Sequence, residues 1–118
     1  MGMMSRRKGK TGELELASEL NRLFNVQARR GQQFSGLGGQ DVVGLHDRIH
    51  VECKRVEKLN IQTAMTQAVR DGQDKLPIVF HRKNHGDWMA TILLDDLPRV
   101  AAILASLQPT DGSGGVVL

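Results

Sequence analysis

The sequence predicts an α/β layer fold, a mixed sheet of about five strands flanked by helices. Three observations carry that expectation. Residues 49–55, Ile-His-Val-Glu-Cys-Lys-Arg, alternate apolar and polar with period two, the pattern of a strand. Segments 11–24 and 60–72, before and after it, repeat apolar residues at helical spacing. A compact apolar run, Pro77-Ile-Val-Phe-His81, follows the second helix, and a crossover of this kind returns a strand parallel to the first. The 118 residues suffice for one domain with a core of its own.

In chain order, residues 1–10 read as a flexible basic arm, and Thr11 is a plausible N-cap for a helix reaching about Phe24. Leu16, Leu20, Leu23 and Phe24 form its apolar stripe, with Ala17 beside them. Glu13 falls on that stripe, three residues before Leu16. Glu15 and Glu19 fall on the opposite, wet face with Arg22. Val26–Arg30 is a short strand, and residues 31–40 form a glycine-rich loop without the Gly-Lys-Ser/Thr ending of a phosphate-binding loop. Asp41–Leu45 is a second short strand, and His46-Asp47-Arg48 turns it into the strand at 49–55. That hairpin places Asp41 and Glu52 on adjacent strands.

Asn60 is the candidate N-cap of the middle helix, whose buried stripe is Ile61, Ala64, Met65 and Ala68, and Asp71-Gly72 closes it. After the Pro77–His81 strand, residues 82–86 make a turn and Trp88–Leu93 a further strand. Asp95 or Asp96 caps a last helix in which Leu97, Val100, Ala101, Leu104 and Leu107 recur, with Pro98 in its first turn. The folded domain spans 11–108, and 109–118 is a Gly/Ser-rich tail.

Composition excludes several classes. No apolar run approaches the roughly 20 residues that span a bilayer, and no secretory signal follows the N-terminal basic residues, so no membrane partner is expected. A single cysteine makes no internal disulfide, which fits a reducing compartment and a cytoplasmic location. Aromatics are 3% with no tyrosine, too few for a base-stacking platform. His46, His50, His81 and His85 do not follow a zinc spacing. The net charge is +3, with a pI of about 9.4. Basic residues cluster at Arg6, Arg7, Lys8 and Lys10, at Arg29 and Arg30, and at Lys54, Arg55 and Lys58. Such clusters suit a phosphate backbone, although short charge runs are also ordinary solvated surface.

Glu52 and Lys54 project from one strand face, since side chains alternate. They are either a surface ion pair or half of a metal-dependent phosphodiesterase site. In the second case Asp41 and Glu52 are carboxylate ligands for Mg²⁺, and the Cys53 backbone carbonyl adds a third oxygen. Lys54 then orients water or neutralises charge on the phosphate, and Glu13 ligates directly or through water. Glu13 has a plainer reading too, as an acid favoured near a helix N-terminus.

Asp41 followed by Glu52-Cys53-Lys54 resembles the Asp…Glu-x-Lys signature of the PD-(D/E)XK nuclease superfamily. The pattern Gly9, Glu13, Arg30, Ser35-Gly36, Asp41, Glu52 and Lys54 is similar to that of the archaeal-type Holliday junction resolvases and their phage relatives. Val51–Val56 followed by a helix containing Gln67 also looks like the phage-encoded members, and the likeness covers roughly residues 6–105. One departure is Gln40, where many members carry proline.

The resemblance implies a restriction-endonuclease-like core and a Mg²⁺-dependent endonuclease in which Mn²⁺ substitutes. It implies a homodimer cutting a four-way DNA junction symmetrically, with catalytic Glu13, Asp41, Glu52 and Lys54. DNA contacts are then expected from Arg6, Arg7, Lys8, Lys10, Arg29, Arg30, Ser35 and Arg55, with Gln67 a further candidate at the site. Two alternatives stand beside it: another nuclease of the superfamily, acting on flaps or nonspecifically, and a non-catalytic DNA-binding protein on the same fold. Converging carboxylates disfavour the last, because without a cation they repel phosphate.

Overall fold

A computed structural model describes residues 2–31 and 40–109 of the chain. The order is α1 (Gly2–Leu23), β1 (Arg29–Arg30), β2 (Val42–Val43), β3 (Ile49–Arg55), α2 (Ile61–Gly72), β4 (Leu76–Arg82), β5 (Met89–Thr91) and α3 (Leu97–Ser106). The mixed α/β character is as expected. The strands, however, form two sheets and not one of five: β1 pairs antiparallel with β2, while β3, β4 and β5 form a three-stranded sheet in that order. Within it β3 and β4 run parallel, Ile49 opposite Leu76 through Arg55 opposite Arg82, and β5 returns antiparallel. The crossover through α2 is therefore where the sequence places it.

The sheet divides between β2 and β3 for a local reason. Only one backbone bond joins them there, Asp41 N–H to the Val51 carbonyl at 3.1 Å. Side chains take over the remaining positions. The Asp41 carboxylate accepts the Cys53 N–H at 2.8 Å. The Gln40 amide, oriented to satisfy both its ends, donates to the Ile49 carbonyl at 3.1 Å and accepts from Lys75 Nζ at 3.0 Å. The strands stay adjacent without a continuous ladder.

Strand alternation gives the three-stranded sheet two faces. Ile49 and Val51 of β3 and Leu76 and Ile78 of β4 pack with Leu16, Ala17 and Leu20 of α1 and Val100 of α3. On the other face, Val79 packs with Ala64, Met65 and Ala68 of α2. Burying these aliphatic side chains is the main favourable term holding the three helices on the sheet.

One helix boundary and the capping of two helix ends differ from expectation. Helix α1 starts at Gly2, so Thr11 lies inside it and the basic segment is not a flexible arm. Met, Arg and Lys are good helix formers, and each of the two interior glycines, Gly9 and Gly12, costs only about 1 kcal/mol. The helix approaches the sheet at Gly12, where an added Cβ would lie 2.6 Å from the Arg55 Cβ; Gly9 has nothing within 4 Å. In α3, Val100 is buried while Leu97 and Ala101 are exposed, and Asp96 gives its carboxylate to Arg99 at 2.7 Å instead of capping. Asn60 does cap α2, its Oδ1 accepting the Thr63 N–H at 3.0 Å.

Helix α2 closes on Gln73, not on a glycine in the left-handed region. Lys75 N–H bonds the Gly72 carbonyl at 2.9 Å, and Gln73 has φ 56° and ψ −113°. These are the marks of a type II′ turn, whose second residue is normally glycine. Gly72 is instead favoured by packing, since a Cβ there would lie 3.0 Å from the His50 Cβ, a tight contact. Gln73→Gly is expected to raise stability by about 1 kcal/mol, strain relief outweighing the added chain entropy. A lower urea midpoint for the variant would rule this out.

Candidate active site

Glu52 and Lys54 extend from β3 toward α2, with His50 in the same row. Glu52 is 3% exposed and His50 2%, and Glu52 Oε1 lies 2.8 Å from His50 Nε2. Val79, Ala64, Met65 and Ala68 provide the apolar surroundings on this face. A polar group placed there needs a hydrogen bond, and each of these two supplies the other's.

Further along the strand, Lys54 Nζ donates to Gln67 Oε1 of α2 at 3.2 Å, so Gln67 does reach the row from the following helix. His81 stands opposite Lys54 in the parallel register, its Nε2 2.8 Å from Thr91 Oγ1. Burial holds the His81 imidazole below its ordinary pKa, favouring the neutral ring beside the lysine row.

Asp41 enters from the outer edge of β3. The N–H and C=O of one strand residue point the same way, so the Cys53 carbonyl shares the edge on which its N–H meets Asp41. The expected hairpin ladder is not formed, since β2 pairs with β1, but the side-chain bond seats Asp41 beside the Glu52-Cys53-Lys54 segment.

Glu13 lies on the other face, with α1. Its carboxylate accepts Arg30 Nε at 2.6 Å, and its side chain is 16% exposed. The Cys53 thiol on this face is pushed up to about 12, by burial first and then by Asp41, Glu13 and Glu15. Glu13 and Asp41 thus share one neighbourhood, whereas Glu52 points to the opposite face. Among the described residues no group of three or more His, Cys, Asp or Glu side chains gathers as metal ligands. A thiol held so high and largely buried is a poor nucleophile. A maleimide at pH 8 is expected to leave native Cys53 unmodified and to label it in denaturant; rapid native labelling would contradict this.

The expected DNA contacts divide. Lys10 and Arg29 are exposed. Arg30 is exposed and paired with Glu13. Ser35 and the side chains of Arg6, Arg7 and Lys8 lie outside the described residues. Arg55 is not an open surface cation: it donates to Glu15 at 3.3 Å and to Asn84 at 2.6 Å. Arg82 donates to the same Glu15 oxygen at 2.8 Å. Glu15 is accordingly a clamp between α1 and strands β3 and β4, and not a wet-face acid. Helical periodicity places it away from the apolar stripe but does not show that two arginines border the helix there.

A groove of about 840 Å³ lies between α1 and the β5 edge and includes Leu14, Leu23, Phe80, Trp88 and Met89. It is on the α1 face, away from Glu52 and Lys54. No helix among the described residues is long and apolar enough to cross a membrane. No family model, curated protein or solved structure matches the chain.

Proposed function

We propose that the chain is a Mg²⁺-dependent, structure-selective DNA endonuclease, a Holliday junction resolvase that makes paired symmetric nicks by phosphodiester hydrolysis. The observation that carries the reading is the Asp41 carboxylate bonded to the Cys53 N–H at 2.8 Å, which seats an acid against the Glu-x-Lys segment. Asp41 and the Cys53 carbonyl, together on the outer edge of β3, offer hard oxygen donors, the chemistry that suits Mg²⁺ or Mn²⁺; Glu52 would join them only by turning away from His50. When bound, such an ion supplies charge neutralisation at the phosphate and a more acidic water. Lys54, held by Gln67, places a cation where phosphate charge develops. Glu13 adds negative charge from the α1 side, with Arg30 held at its carboxylate for the DNA.

Symmetric cutting needs two sites, hence a homodimer. Leu14, Leu23 and Met89, left exposed along one groove, offer apolar surface for a second copy. A monomer mass by light scattering at micromolar protein would remove this part of the proposal.

A second reading, a non-catalytic DNA-binding protein, is favoured by one observation: Glu52 is buried and engaged by His50. The deciding experiment compares a labelled four-way junction with linear duplex, single strand and flap in Mg²⁺, using wild type and Glu52→Gln. Paired nicks on the junction alone, lost in the variant, support the resolvase. Equal cutting of all substrates supports a less selective nuclease. Junction binding without cutting in Mg²⁺ or Mn²⁺ supports the binder.

A further inference from the structure

We infer that the outward polar face of α2 seats the phosphodiester backbone of the DNA strand approaching Lys54. This rests on the DNA-processing reading above and adds a surface to it. One face of α2 is accounted for by its packing: Ala64, Met65 and Ala68 are buried against the sheet, and Gly72 abuts His50. The remaining face carries Gln62, Thr63, Thr66, Gln67 and Arg70, which alone line a shallow hollow of about 330 Å³.

Its chemistry is specific. From Ile61 to Val69 the helix has no charged residue, in a chain that is 25% charged. A face that only met solvent would ordinarily carry Lys/Glu pairs, which support an exposed helix. The Thr66 hydroxyl donates to the Gln62 carbonyl at 3.0 Å, but the Gln62 and Gln67 amides and the Thr63 hydroxyl can donate to phosphate oxygens without repelling them, and such side chains make many of the backbone contacts in DNA complexes. The one acid nearby, Asp71, is turned to Arg70, its Oδ1 3.3 Å from Nε. Arg70 is itself well exposed and supplies the positive charge at the far end of the row.

The row also has a direction. Gln67 accepts a bond from Lys54 Nζ, so the hollow runs from Arg70 past Thr66 to the lysine on β3. The groove beside α1 differs: it is largely apolar, and its Arg22 and Arg82 are already paired with Glu19 and Glu15.

The test measures affinity for a four-way junction and a linear duplex by anisotropy, with Ca²⁺ replacing Mg²⁺ to hold back cleavage. Thr66→Glu puts a carboxylate in the middle of the row, and Ala102→Glu puts the same charge on exposed α3. Thr66→Glu is expected to weaken binding at least tenfold and Ala102→Glu less than twofold. Arg70→Ala, which alters only an exposed side chain, is expected to weaken binding several-fold and to lower the salt slope by about one. Thermal melts confirm that each variant is folded.

Wild-type affinity in both Thr66→Glu and Arg70→Ala, with DNA still bound and cut, overturns the α2 assignment and leaves the nuclease reading standing. A wild-type protein that neither binds nor cuts any DNA overturns both.

Discussion

Asp41→Asn is expected to reduce Mg²⁺-dependent DNA cleavage by about 10²–10³-fold while leaving the fold in place, a loss typical of removing one electrostatic group from an active site. The two halves of that expectation come from the two things Asp41 does. Its carboxylate accepts the Cys53 N–H at 2.8 Å, and an asparagine carbonyl oxygen can take over that bond. The asparagine lacks the negative charge that the proposed Mg²⁺ site requires beside the Glu-x-Lys segment. Single-turnover cleavage and the urea midpoint are measured on the same variant. Activity within a few-fold of wild type would take Asp41 out of the site. Lost activity together with a collapsed midpoint would make its role structural.

The largest expected effect on stability is at His50. In His50→Leu the Glu52 carboxylate, 3% exposed and lined by Val79 and α2, loses its only partner on the β3 row. An unpaired polar or charged group at such depth costs about 3 kcal/mol. For a domain of this size that corresponds to a fall in Tm of roughly 10 °C or more. The comparison that separates pairing from packing is the double variant His50→Leu/Glu52→Leu, which replaces both polar groups with apolar ones and should recover most of the loss. Glu52→Gln should cost little, because its amide oxygen can still face His50 Nε2. A His50→Leu protein that melts with wild type would show that the contact carries no stability.

Much of this was legible before any coordinates. The period-two alternation of 49–55 correctly put His50, Glu52 and Lys54 on one face and Cys53 on the other. The helical stripe of α2 and its Asn60 cap read directly, because local spacing and a local hydrogen bond determine them. Even the His50–Glu52 contact is an i, i+2 pair whose residues share a strand face, and that spacing was the signal available for it.

Other features lay beyond the sequence because they depend on partners distant in the chain. Glu15 meets Arg55 and Arg82 only once α1 lies across the sheet. Gly12 and Gly72 are favoured because Arg55 and His50 crowd the space a Cβ would need. Glu13 was placed correctly on the inner side of α1, yet periodicity says nothing of which cation it meets, and Arg30 takes it. The five-stranded sheet failed at a single seam, where the side chains of Gln40 and Asp41 stand in for ladder bonds.

That seam has a consequence for how the protein keeps to itself. The outer edge of β3, Ile-His-Val-Glu-Cys, is a β-prone segment whose amides and carbonyls would otherwise offer a template to any extended chain that met it. Gln40 and Asp41 cover it with groups that satisfy those amides and carbonyls one at a time and give a second strand nothing to continue. The acid proposed for catalysis is therefore also a guard against aggregation. Truncating it to alanine exposes the edge, whereas asparagine keeps the edge covered.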